Sequence, residues 1–215
     1  MAKANIKSLK VSNIIINHVT SNLREYIIVS LMFIVGIFLG VMFVNNSKDT
    51  QKDEFSSYIN NYISQAKEEG NSISTAETLT NSIKNNVLLA LGLWFAGTTL
   101  IGIPIVFGII LFRGFCLGYT ISASTYTLGF TKGLLFMLMS TLLQNILFIP
   151  ALLALGVSGI KLYKSIMKDK RKENIKLEIL RHTIFSLLML AVMVVAAIVK
   201  VNVSGGMFEG LSKYF

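Results

Sequence analysis

Long apolar runs separated by short polar segments dominate the chain. A helix needs about 20 consecutive apolar residues to cross the hydrocarbon core of a bilayer, so run length identifies candidate spans. By this rule the sequence predicts an all-α, polytopic membrane protein with five transmembrane helices. The spans are predicted at residues 26–44, 86–112, 114–130, 133–160 and 183–203.

The third predicted span is the shortest of the five. Residues 114–130 are rich in Ser, Thr and Gly, so they are either a spanning helix inside the bundle or a re-entrant segment shielded by protein. The basic residues favour a spanning helix, because Lys and Arg concentrate in cytoplasmic segments. With five spans the N-terminus is cytoplasmic, Arg113 lies in a short cytoplasmic link, and the C-terminus is extracytoplasmic. A re-entrant third segment would place the basic segment 161–182 on the extracytoplasmic side, contrary to the preference of basic residues for the cytoplasm.

The polar segments each have a place in this topology. Residues 1–25 are predicted to form a cytoplasmic interfacial helix, 45–85 an extracytoplasmic loop, and 204–215 an extracytoplasmic tail. The basic cytoplasmic segment 161–182 either attracts anionic lipid headgroups or serves only as a positive-inside signal. Membrane lipids are therefore expected partners of the chain.

The outer loop contains an amphipathic helix that is predicted to end near Gly70. Apolar side chains recur there at helical spacing, with Asn, Ser, Gln and Glu on the opposite face. An exposed apolar stripe of this kind is a candidate docking face for a protein, and it could also lie on the outer leaflet. The candidate docking residues are Phe55, Tyr58, Ile59, Tyr62 and Ile63.

Composition supports a membrane protein over the alternatives. Of the 215 residues, 53% are hydrophobic and 14% are charged, which is more apolar surface than one soluble core absorbs. The net charge of +9 does not indicate nucleic-acid binding, because the basic residues flank apolar segments without the motifs of an RNA-binding domain. Cys116 is the only cysteine, so an intramolecular disulfide is excluded.

No catalytic or cofactor site is predicted. Catalysis needs convergent polar groups in a shielded pocket, and the sequence has no nucleophile and base pair, no paired carboxylates and no phosphate-binding glycine loop. His18 and His182 fall in separate cytoplasmic flanks, so we expect no metal site. Every acidic residue falls in a predicted loop or flank, which argues against an ion-coupled transporter and leaves a passive pore open.

Inside the predicted spans the informative residues are polar amides, prolines and glycines. Gln144 and Asn145 need partners in a dry environment, which either a neighbouring helix of the same chain or another subunit could supply. Helix kinks are expected at Pro104 and Pro150, since proline cannot donate its backbone hydrogen bond. Small residues four positions apart permit close helix packing. The pairs are Gly36 with Gly40, Gly114 with Gly118, and Gly129 with Gly133.

Two segments carry a resemblance to a known family. These are GLWFAGTTLIGIPIVFGIILFRGFCLGYT, with Gly102, Pro104 and Arg113, and LLQNILFIPALLALGVSGIKL, with Asn145 and Pro150. Both resemble the stage II sporulation protein M family, and the order of spans fits over nearly the whole chain. The resemblance implies a non-catalytic membrane subunit of the engulfment machinery in endospore-forming bacteria. It also implies two peptidoglycan-degrading partners, stage II sporulation proteins D and P, at the septal membrane.

The leading hypothesis is a scaffold that holds wall hydrolases at the membrane, with the outer helix as its docking face. A permease-like or channel subunit passing a small solute is the alternative, motivated by the predicted kinks and by Gln144 and Asn145. An intramembrane enzyme is the weakest class, because no nucleophile has a base within reach. A homo-oligomer is a further candidate assembly.

Overall fold

A computed structural model describes residues 16–17, 19–68, 75–99, 101–137, 143–168 and 175–211. Within these ranges the side chains are described except at residues 62, 63, 65–68, 75–78, 143, 168 and 201–211. Every regular element in these ranges is an α-helix. The helices are α1 (Leu23–Asn45), α2 (Asp49–Glu68), α3 (Thr75–Thr98), α4 (Gly102–Leu128), α5 (Phe130–Met137), α6 (Leu143–Lys168) and α7 (Ile175–Leu211).

Five of these helices, α1, α3, α4, α6 and α7, pass along one another and form a bundle. Phe33 of α1 lies beside Gly114 of α4 and Ile37 lies beside Gly118, so α1 and α4 are parallel. Contacts of Asn86 with Met193 and of Trp94 with Thr183 make α3 and α7 antiparallel. The end where α1 and α7 begin and α6 finishes is called the basic end, and the opposite end, next to α2, is called the α2 end.

Two of the glycine pairs of the sequence form the contact between α1 and α4. A Cβ atom on Gly36 would overlap the carbonyl oxygen of Leu111, and one on Gly40 would overlap that of Phe115. From the other side, a Cβ atom on Gly114 would overlap the carbonyl oxygen of Phe33. The two backbones therefore touch, as small residues at four-residue spacing permit.

The structure places the boundary between the second and third long helices differently from the sequence prediction. Predicted spans 86–112 and 114–130 meet at Arg113, whereas α3 ends at Thr98 and α4 begins at Gly102 and continues through Arg113. The hydroxyl of Thr98 donates to the carbonyl of Phe95 (2.8 Å) and that of Thr99 to Ala96 (3.0 Å), which satisfies carbonyls at the end of α3. The prediction of a cytoplasmic link at Arg113 is therefore wrong.

Pro104 begins a helix and does not kink one. It is the third residue of α4, where a backbone N–H has no partner inside the helix, so proline costs nothing there. The kink predicted at Pro104 is thus replaced by a turn between two helices. Pro150 lies inside α6, which is a single helix from Leu143 to Lys168.

Four of the described helices are long and apolar enough to cross a membrane: Leu23–Asn45, Gly102–Leu128, Gln144–Met167 and Ile175–Lys200. The helix α3 is not among them, because its first half, TAETLTNSIKNN, is largely polar. The chain is a multi-pass helical membrane protein by these lengths and compositions, with α3 as the fifth helix of the bundle.

Other predicted boundaries shift as well. The predicted span 133–160 falls partly on α5 and partly on α6. Gly129 takes a positive φ of 80° between α4 and α5, and Gly133 then lies against the backbone of Ser124 and Thr125. The helix α7 begins at Ile175, before the predicted start at 183, so part of the predicted basic segment belongs to it.

His182 was predicted to lie in a cytoplasmic flank, and that prediction is wrong. Its side chain is buried between helices, with Nδ1 2.8 Å from the hydroxyl of Ser158. His18 and the predicted interfacial helix up to residue 15 lie outside the described residues. Glu25 at the start of α1 pairs with Lys164 near the end of α6 at 2.7 Å, which ties these helices together at the basic end.

Candidate functional site

A polar cavity of about 290 Å³ lies among α1, α3, α4, α6 and α7. Two cations line it, Arg113 from α4 and Lys200 from α7. Amide and hydroxyl side chains surround them. These are Ser82, Asn85, Asn86, Thr120, Gln144 and Asn145. We call this space the cationic cavity.

Helical periodicity explains how the sequence assembles the cationic cavity. Residues three, four or seven positions apart share one face of a helix, and Ser82 and Asn86 have this spacing on α3, as Arg113 and Thr120 do on α4. Gln144 and Asn145 lie in the first turn of α6, and Phe148, one turn later, lines the same cavity. Each helix thus contributes a short polar stretch to an otherwise apolar bundle.

Arg113 lies well inside its helix. It is 11 residues from Gly102, which corresponds to about 17 Å along the axis at 1.5 Å per residue. An arginine near the centre of a span costs about 2.5–3.5 kcal/mol on insertion scales, so such residues face the bundle interior and have a role. The guanidinium carbon of Arg113 lies 4.5 Å from the centre of the Phe148 ring, and Phe148 is buried. A cation–π contact therefore orients the cation.

The charges of the cationic cavity are of one sign. Its lining contains Arg113 and Lys200 and no carboxylate. Lys164 pairs with Glu25 and Arg181 pairs with Glu178, and both of these ion pairs lie towards the basic end. Both cations are half-buried, and a partly desolvated charge without a counter-charge is unfavourable, so this arrangement favours an anion.

Asn86 connects the cationic cavity to the bundle. Its Nδ2 donates a hydrogen bond of 2.9 Å to the carbonyl oxygen of Met193, and its side chain is buried. Gln144 is also buried, while Asn145 is half-buried. Gln144 and Asn145, which the sequence analysis singled out, thus line the same cavity as Arg113 and Lys200, which it did not propose as site residues.

A second cavity of about 680 Å³ adjoins the first beneath α2. Lys200 and Thr120 line both cavities, and Tyr58, Ile59 and Tyr119 are among the other residues of the second. Glu54 also lines the second cavity but makes no ion pair with Lys200. The cationic cavity is therefore open towards the α2 end.

Part of the predicted docking face on α2 is used inside the chain. The ring of Phe55 packs edge-on against Tyr119 with centroids 5.1 Å apart, and Ile59 is buried with Val44 and Ala123. Ile59 is therefore buried and Phe55 half-buried, because α2 folds back onto the end of α4. Tyr58 remains 75% exposed. The side chains of Tyr62 and Ile63 lie outside the described part of the chain.

The cations, amides and hydroxyls that line the cationic cavity are groups that hold an anion by charge and hydrogen bonds. Within the described ranges no three His, Cys, Asp or Glu side chains come close enough to hold a metal ion. Arg113 escaped the sequence prediction because its charge was taken as the end of a span, and Lys200 because it fell inside predicted span 183–203, which was taken as free of interior charge. The signal that could have found Arg113 is the Thr98-Thr99 pair followed by Gly102 and Pro104, which marks a turn.

Residues 29–205 match the family model described as SpoIIM, stage II sporulation protein M. This match covers most of the 215 residues, including four of the five bundle helices in full or nearly so and the whole cationic cavity. No curated protein and no solved structure matches the chain.

Proposed function

Because the chain belongs to the stage II sporulation protein M family, we propose that it is a non-catalytic membrane scaffold of sporulation. In this proposal it anchors peptidoglycan-degrading partners at the septal membrane while the forespore is engulfed. The proposed partners are stage II sporulation proteins D and P. The family places the chain among sporulation-related membrane proteins, and the scaffold role is our proposal for it.

The attachment of α2 to the bundle is the observation that supports a scaffold. Phe55 and Ile59 hold α2 on α4 and α1, so the helix is fixed in place before any partner arrives. Preorganisation of this kind reduces the ordering cost of binding. Tyr58 lies on the same helix and exposes most of its ring, and exposed aromatic residues are common anchors in interfaces.

The experiment compares two substitutions on the exposed surface of α2. Tyr58→Asp places a charge at the proposed contact, and Asn60→Asp places the same charge two residues away at another exposed position. We expect Tyr58→Asp to abolish co-purification with the two hydrolases and Asn60→Asp to preserve it. Unchanged co-purification and septal localisation with Tyr58→Asp would overturn the proposal.

A channel or permease-like subunit is the second candidate, favoured by the polar lining around Gln144 and Asn145. Apolar side chains argue against a continuous lumen, because Leu93, Ile110 and Leu155 are fully buried in the core on the side of the basic end. Solute flux into liposomes that disappears with Gln144→Leu and Asn145→Leu would favour the channel. Absence of flux with the native chain would favour the scaffold.

A further inference from the structure

We propose that the cationic cavity binds a phosphate-type oxyanion between Arg113 and Lys200. The anion would be either the phosphate of a lipid headgroup or inorganic phosphate, which share the same recognition chemistry. This proposal does not depend on the scaffold role, because it concerns the interior of the bundle and not the exposed face of α2.

The charge pattern is the first observation that points to an anion. Arg113 and Lys200 come from different helices and line one space, yet neither forms an ion pair with a described carboxylate. Two half-buried like charges repel each other, so a bound anion would stabilise both. Glu54 lies in the adjoining cavity and is the nearest candidate for an internal counter-charge, but it is not paired with Lys200.

The hydrogen-bonding groups are the second observation. Arg113 presents a planar set of five N–H donors that matches a phosphate, and Lys200 adds a point charge. No hydrogen bond to another described residue uses the Arg113 donors, while its contact with Phe148 limits where the guanidinium can lie. The side-chain amides of Gln144 and Asn145 add neutral donors on the opposite helix.

Room and access are the third observation. A volume of about 290 Å³ is roughly ten times the 30 Å³ that one water occupies in the liquid, so a phosphate group and some waters fit. Lys200 and Thr120 also line the cavity of about 680 Å³ below α2, which gives an approach from the α2 end. The apolar atoms of that second cavity, from Phe55, Ile59 and Phe136, suit the acyl chains of a lipid.

The test uses the full chain, delipidated in a neutral detergent. Three probes are titrated separately and followed by native mass spectrometry: phosphatidylglycerol, diacylglycerol with the same acyl chains, and inorganic phosphate. We expect saturable binding of one phosphate-bearing probe and none of diacylglycerol. Phosphatidylglycerol binding that inorganic phosphate does not displace identifies a lipid headgroup, whereas binding of inorganic phosphate itself identifies the soluble anion. Absence of saturable binding by both phosphate probes would overturn the proposal.

Substitutions then locate the bound anion. Arg113→Gln and Lys200→Gln should each weaken binding about tenfold or more, as expected for the loss of a charge-assisted hydrogen bond. The matched controls are Arg24→Gln and Lys176→Gln, which remove the same charges from exposed positions outside the cationic cavity. Equal weakening by the controls would mean attraction to the whole basic protein and would overturn the proposal.

Asn145→Asp provides a second route in case Arg113→Gln does not fold. This nearly isosteric change supplies a carboxylate to the cationic cavity, so it should weaken phosphate binding about tenfold or more. The same variant should melt at a higher temperature than the native chain when no ligand is present, because its carboxylate compensates the two cations. Unchanged affinity for the phosphate probe would overturn the proposal.

Discussion

The guanidinium carbon of Arg113 lies 4.5 Å from the centre of the Phe148 ring, joining α4 to α6 in the middle of the bundle. Phe148 is 1% exposed, so the contact is shielded from water on the side of the ring. The ring gives Arg113, whose charge would be costly in contact with lipid, a favourable partner inside the bundle. It also sets one wall of the cationic cavity.

The contact between Arg113 and Phe148 should be measurable as a coupling free energy. A double-mutant cycle of Arg113→Gln and Phe148→Leu is expected to give a coupling of about 0.5–2 kcal/mol, the range of partly desolvated cation–π contacts. Unfolding in mixed micelles of a mild detergent and sodium dodecyl sulfate gives the four free energies. Additive single effects would show that the contact contributes nothing to stability.

The parallel contact of α1 and α4 should tolerate no added atom. A Cβ atom on Gly114 would overlap the carbonyl oxygen of Phe33, so Gly114→Ala is expected to destabilise the bundle by about 1–3 kcal/mol. A Cβ atom on Gly108 of the same helix would meet no other atom within 4 Å, so Gly108→Ala should be neutral or stabilise by up to about 1 kcal/mol. Equal effects in the same unfolding assay would contradict the close packing.

Asn86 should contribute to stability through its bond to the Met193 carbonyl. Asn86→Leu removes a buried hydrogen bond of 2.9 Å between α3 and α7 and is expected to cost about 0.6–1.7 kcal/mol, from the average to the maximum found for bonds between membrane helices. Asn81→Leu changes an exposed residue of the same helix and should stay within about 0.5 kcal/mol of the native chain. A larger loss in Asn81→Leu would count against the assigned role.

The α2 end of the bundle should face the extracytoplasmic side. In a Cys116→Ser background, which has no other cysteine, Ser57→Cys reports on α2 and Lys176→Cys on the basic end. An impermeant maleimide should label position 57 in intact cells and position 176 only after permeabilisation, because basic segments remain cytoplasmic. The reverse pattern would invert the topology.

Local information in the sequence determined the helical class, the amphipathic helix and the family. Hydropathy over about 20 residues needs no tertiary contact, so apolar runs such as 26–44 and 183–203 coincide with parts of α1 and α7. The glycine pairs were likewise visible as spacing. The sequence did not show which helices these glycine pairs join, because spacing on one helix carries no information about its neighbour.

Tertiary structure decided that α3 ends at Thr98 and α4 begins at Gly102, and with it the position of Arg113 inside α4. A charge in an apolar run ends a span only when lipid surrounds it, and here α6 supplies Phe148 as a partner from far along the chain. Packing also buries Ile59 and half-buries Phe55 on α2, a helix whose apolar face the sequence predicted to be exposed. The cationic cavity exists only in the folded chain, because five helices must meet before Arg113, Lys200 and the amides share one space.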